Sequence, residues 1–290
     1  MPTTLQPSAA PSERSLFEFV SELARELSAG RVDLPSFPDA AARVQQVLSD
    51  ETVTGERIAR VVSSDAGLAA RILTMANSTL LHRGGSRVTD LKVAITRIGH
   101  ENIRTAALAY ATAQLRRAAE LTHIRARLDG CWQQGVRVAA LAHAMAKESR
   151  KVRTDEAMLA GLLHNIGKIY ILARTPKDQT DAFGDEEELR SWHPSIGQAL
   201  IENWKLGDEL AAAVGGQYEL GRTHAEEEPD LQDVLIVAVN LAAQIADKSA
   251  DDSVLARIPA TAALGLSESA LVRIVLESQA DVEMLQAALG

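Results

Sequence analysis

The 290-residue chain holds one cysteine, few aromatic residues and no long uninterrupted apolar run. Each shortage excludes something. Cys131 is alone, so no intramolecular disulfide can form, and a reducing compartment suits the chain. Aromatics make up only 3% of residues, so the 46% that is apolar is mostly Ala, Leu, Val and Ile. That composition packs helix against helix, and the β-branched or aromatic alternation of a sheet is scarce. The run from Val234 to Ala246 is interrupted by Asn240 and Gln244 and is too short to span a bilayer. The opening MPTTLQPSAAPSERS is polar and Pro-rich, without the apolar stretch of a signal peptide. The expectation is a cytoplasmic protein with no membrane partner. Positive charge is also in deficit: 30 Lys and Arg against 39 Asp and Glu, or −9. Residues 1–129 carry 16 basic and 14 acidic side chains (+2), leaving 14 and 25 (−11) for residues 130–290. Such a chain lacks the broad basic face that phosphate-backbone binding needs, which disfavours DNA as a partner.

What is present is helical periodicity, repeated along the chain. Leu16, Phe19, Val20, Leu23 and Leu27 recur at helical spacing. LPSFP at Leu34–Pro38 breaks the pattern, because its two prolines remove two backbone donors. Helices are then expected over Ala40–Leu48 and Ile58–Val62, the latter capped by Thr54. Leu68, Ile72, Leu73 and Met75 form the next stripe, closed by Asn77 and Ser78. Leu91–Ile98 is expected to end at Gly99, and Ile103–Leu115 follows. The charged segment Arg116–Gly130 joins two halves. Beyond it, helices are expected over Cys131–Glu148, Asp155–His164 (capped by Thr154), His193–Trp204, Asp208–Tyr218 and Leu231–Ala246. Ser267 is placed to cap a last helix that begins with Leu271–Leu276. The fold class is all-α.

Among seven histidines, His164 has the most suggestive surroundings, with Asn165, Gly167 and Lys168 following it in HNIGK. The helix pair IARVVSSDAGLAARILTMAN has the outline of a helix-turn-helix. Its second helix opens on Ala66, Gly67, Leu68 and Ala69, however, with only Arg71 able to read a base, which favours a structural pair. Cys131 has no His and acid beside it, so it makes a poor nucleophile candidate.

Several ordered segments together resemble the HDOD domain family. They are LPSFPDAAARVQQVL, SSDAGLAARILTMANS and a helix ending in IGHENIR, then WQQGVRVAALAHAMAKE, AMLAGLLHNIGK, HPSIGQALIENWKLGDELAAAV and VAVNLAAQIAD. The resemblance implies a two-part helical fold. Residues 1–28 would be a disordered start and an N-terminal helix, and 29–225 the HDOD domain, divided into 29–128 and a degenerate HD-like half at 129–225. Residues 226–290 would complete the HD-like bundle. It also implies structural roles for Leu34, Pro35, Pro38, Asn77, Ser78, Gly99 and Trp204. The family is related to the HD metal-dependent phosphohydrolases, which hold a divalent cation with imidazoles and carboxylates. At the matching positions this chain has Gln134, His164-Asn165 and Ala243, with His193 retained and Gln217 near a further one. Two amides and a methyl group in place of ligands imply no metal, no cofactor and no enzyme. Gln134, His164, Asn165, Lys168, His193, Gln217 and Ala243 would then form a vestigial pocket, structural or able to hold a small phosphorylated ligand. The resemblance further implies bacterial signalling partners of the receiver, diguanylate cyclase, phosphodiesterase or kinase type. With no output domain evident in the chain, it would act on them in trans. A divergent phosphohydrolase recruiting Asp185 or Glu186 is the alternative.

Overall fold

A computed structural model describes residues 16–31, 39–50, 52–78, 87–177, 186–223, 228–247, 255 and 257–289. Among these no strand occurs. Helices α1 (Leu16–Ser28), α2 (Asp39–Leu48), α3 (Gly55–Val62), α4 (Ala66–Ala76) and α5 (Leu91–Arg117) lead to a 3-10 turn at Ala119–Ile124. There follow α6 (Arg125–Ser149), α7 (Thr154–Leu163), α8 (Ile166–Arg174), α9 (Glu186–Asn203), α10 (Asp208–Gly215), α11 (Leu231–Ala246), α12 (Pro259–Ala263) and α13 (Glu268–Leu289). The motif residues Leu34, Pro35 and Pro38 lie outside the described residues.

Helix α6 is buried on every side along residues 138–146, a stretch that is apolar apart from His143. Its stripe Trp132, Val136, Ala139 and Ala140 closes a core built from α2, α3, α4 and α5. Cys131, Val138, Leu141, Ala142 and Met145 face the opposite way, into a larger core with α7 to α11. The first and last helices do not respect this division. Helix α1 lays Phe19, Val20, Leu23 and Leu27 into the second core, where Asn203 Nδ2 donates to the Leu27 carbonyl at 3.1 Å. Helix α13 contributes Leu271 and Ile274 to the second core and Leu285 to the first.

Side-chain caps explain the starts of α3, α4, α5 and α11, whereas α6, α7, α8, α10 and α12 begin without one. Thr54 accepts from Arg57 N, as expected of an N-cap, and Asp65 and Asp90 do the same for α4 and α5. A Thr54→Ala variant should lose about 1 kcal/mol in urea unfolding, the usual worth of such a cap. Asp230 and Asp233 form a capping box on α11, and Arg222 pairs with both. Asn77 ties its neighbourhood together: Val88 N donates to Oδ1, and Nδ2 donates to the Val88 and Leu73 carbonyls. The Ser78 hydroxyl donates to the Met75 carbonyl, and Trp204 packs half-buried against the second core.

Gly99 ends the first helical segment of α5 as expected, its positive φ (φ 78°, ψ 170°) interrupting the helical backbone before a second segment follows. Two expectations change in detail. Thr154 opens α7 without capping it; its carbonyl contacts His143 Nδ1 at 3.2 Å. Helix α9 begins at Glu186, seven residues before His193, and runs through Pro194. Glu186, Glu187 and Glu188 suit a helix N-terminus, and Leu189, His193, Ile196 and Leu200 supply one continuous buried face.

Candidate functional site

The α7–α8 junction is a single tight turn, His164-Asn165, that follows a wholly buried stretch from Ala157 to Leu163. Helix α8 then crosses α9 backbone to backbone. A Cβ built on Gly167 would stand 2.0 Å from the His193 carbonyl oxygen and 2.6 Å from Gly197 N. Only glycine permits that approach, and the approach is what brings α9 over the junction.

A cavity of about 650 Å³ lies at this crossing. Its wall includes Gln134 from α6, Asn165 and Lys168 from the α7–α8 segment, and Arg190 and His193 from α9. Glu186 and Glu187 at the start of α9, Tyr218 beyond α10, and Val239, Asn240 and Ala243 on α11 complete it. The structure thus brings five of the residues singled out in the sequence to the wall: Gln134, Asn165, Lys168, His193 and Ala243. His164 and Gln217 are fully buried and do not line it; Gln217 Nε2 donates to the His164 carbonyl at 3.0 Å.

The hydrogen bonds decide what the site offers. Asn165 Nδ2 donates to Gln134 Oε1 at 3.0 Å, so the two amides satisfy each other in part. His164 Nδ1 donates to the Gly161 carbonyl at 2.7 Å, which leaves Nε2 as a buried lone pair with no partner. His193 Nε2 contacts the Tyr218 hydroxyl at 3.1 Å, and its Nδ1 has no partner. Burial, ahead of the Lys168 charge, pushes the His164 imidazole down to about 4. Burial, with His164, Lys168 and Arg190 nearby, pushes His193 down to about 3. Both rings are therefore neutral near pH 7. Lys168 is spent on an ion pair with Glu186, which Arg127 also approaches at 3.8 Å.

Sequence reasoning missed Arg190 and Asn240 on this wall. A signal existed, since Arg190 precedes His193 by three residues and Asn240 precedes Ala243 by three. Each pair shares one helical face once the helix is granted.

Comparison with known proteins accords with this geometry. The HDOD domain model matches residues 34–220, more than half of the chain. The chain belongs to the HDOD family. No curated protein matches it in sequence. Among solved structures, a Shewanella amazonensis protein named as a candidate metal-dependent phosphohydrolase is 24% identical with a TM-score of 0.73. The match covers 95% of this chain and 99% of that one. A Geobacter sulfurreducens HDOD domain protein of unknown function is 20% identical with a TM-score of 0.62, over 94% and 98% of the two chains. A Marinobacter aquaeolei protein named as a candidate signal transduction protein is 20% identical with a TM-score of 0.60, over 95% and 65%. At these identities the solved structures show a shared fold.

Related HD enzymes hold a metal, and the residues of this HDOD site do not fit one. Gln134 Oε1 already accepts from Asn165, Ala243 offers a methyl group, and the two imidazoles are joined by no carboxylate at the His-Asp position. Amide oxygens without charge hold a divalent cation weakly. Among the described residues no three His, Cys, Asp or Glu side chains gather as a metal-binding group; Asp185 lies outside them.

Proposed function

We propose that this chain is a non-catalytic regulatory protein of bacterial signal transduction, working through contacts with other signalling proteins. One observation carries the reading: Asn165 and Gln134 hydrogen-bond to each other, and the resemblance to HD enzymes matches both to metal-ligand positions. A carboxylate there would neutralise a dication and orient the adjacent imidazole; an amide pair does neither. The role as a signalling module rests on HDOD membership, and a relative named for signal transduction accords with it. Partners of the receiver, diguanylate cyclase, phosphodiesterase or kinase type follow from the same reading. No helix among the described residues is long and apolar enough to cross a membrane. The start of α4, where a DNA-reading helix would meet bases, is engaged within the fold. The Tyr110 hydroxyl donates to the Asp65 cap, and Arg71 stacks on the Tyr110 ring. That supports leaving DNA out.

The test is metal content and hydrolysis together. Protein expressed with added manganese, iron and zinc and purified without chelator should carry less than about a tenth of an equivalent. It should not hydrolyse bis(p-nitrophenyl) phosphate with added manganese. Occupancy near one per chain, lost in His164→Ala and accompanied by turnover, overturns the reading in favour of a divergent phosphohydrolase. A second reading, a ligand-sensing pocket, is favoured by the cavity itself and by its unmatched polar atoms.

A further inference from the structure

The cavity wall carries hydrogen-bonding groups that the protein does not use. The Asn165–Gln134 bond occupies one atom of each amide. Both residues line the cavity, and neither the Gln134 Nε2 nor the Asn165 Oδ1 has a hydrogen-bond partner among the described residues. The charges are as informative. Lys168 is neutralised by Glu186, whereas Arg190 stacks on the Tyr218 ring at 4.4 Å with no carboxylate partner among the described residues. Lys168 and Arg190 against Glu186 and Glu187 make the wall neutral overall, so a highly charged anion gains little from it.

From this we propose that the cavity binds a small planar imide or lactam bearing one negative charge. The ring's N–H would donate to Asn165 Oδ1, and its carbonyl would accept from Gln134 Nε2. The single anionic group would meet the guanidinium of Arg190 in a charge-assisted bond. A cavity near 650 Å³ falls within the range of small-molecule sites. The inference rests on the ligand-sensing reading of the pocket and adds the ligand's chemical class to it.

The experiment is calorimetric titration of the full chain with four probes. Orotate has the imide head and a carboxylate, uracil the head alone, acetate the charge alone, and uridine 5′-monophosphate the head with a phosphate. Orotate should bind with a dissociation constant of about 1 mM or tighter, and uracil and acetate at least about tenfold more weakly. The monophosphate, with more charge, should not exceed orotate. Arg190→Gln, at an exposed position, should weaken orotate about tenfold and leave uracil unchanged. Gln134→Leu should weaken both orotate and uracil while circular dichroism stays that of the parent. Absence of saturable orotate binding overturns the proposal, as do acetate binding equal to orotate and insensitivity to either substitution. A monophosphate markedly tighter than orotate overturns the single-charge argument. Failure here with no metal and no hydrolysis leaves the non-catalytic reading standing, since that rests on the donor set and not on a ligand.

Discussion

Replacing Gly167 with alanine should cost this protein on the order of 3–5 kcal/mol, among the larger effects a single methyl group can have. In an ordinary helix interior the same change would stabilise by up to about 1 kcal/mol. Here the new carbon would lie 2.0 Å from the His193 carbonyl oxygen and 2.6 Å from Gly197 N. Both neighbours are backbone atoms, so no side chain can swing aside to make room. Helices α8 and α9 would have to separate, taking His193 and Arg190 away from Asn165 and opening the second core along Ile196, Leu200 and Leu189. The melting temperature should fall by roughly 10 °C for a chain of this size. Gly221 provides the control, because a Cβ there meets nothing within 4 Å. Gly221→Ala should change stability by no more than about 0.5 kcal/mol. If Gly167→Ala behaves like Gly221→Ala, the close crossing of α8 and α9 is wrong, and the cavity built upon it falls too.

The second large effect is acid sensitivity from two buried imidazoles. In the unfolded chain each histidine titrates near 6.5. In the fold, burial holds His164 at about 4 and His193 at about 3. Between roughly pH 6.5 and 4 the unfolded state therefore binds protons that the native state refuses. The stability these residues provide is fully present above about pH 6.5 and is lost as pH falls through that window. Each ring should remove about 2 kcal/mol between pH 7 and pH 5, for a combined loss of some 3–4 kcal/mol. His143 is shifted the same way by burial and adds to the slope. Urea titrations at the two pH values measure it, with the midpoint moving well down at pH 5. A His193→Gln variant that stays folded should lose about half of the pH dependence. Equal stability at pH 7 and pH 5 would mean that the imidazoles are hydrated, contrary to their complete or near-complete burial.

Much of the site is legible in the order of residues along the chain. Asn165 beside His164 and Ala243 on the apolar helix are covalent facts, and a missing carboxylate is missing in any conformation. The stripe Leu68, Ile72 and Met75 and the cap at Thr54 are equally legible, since both depend on residues three or four apart. Arg190 is not, because it ends the acidic stretch 177–190, which reads as a connection, part of it helix-compatible, ahead of the helix expected from His193. The helix instead begins at Glu186, and only then do Glu186, Arg190 and His193 fall on one face. His164 illustrates the reverse. Its chemistry is apparent from its neighbours, yet it stands behind the wall that the sequence pattern has it lining.

The sequence alone therefore determined that the protein is all-α, where most helices lie, and that an amide, Asn165, follows His164. Those properties are local, set by side-chain type and a periodicity of 3.6 residues. Tertiary structure alone decided that Gln134 meets Asn165 across 31 positions, and that Lys168 meets Glu186 rather than a ligand. It also decided that α1 packs on helices of the second core. These pairings join residues far apart in the chain. They are governed by how closely two backbones approach at points such as Gly167, a distance that no pattern of neighbouring residues encodes.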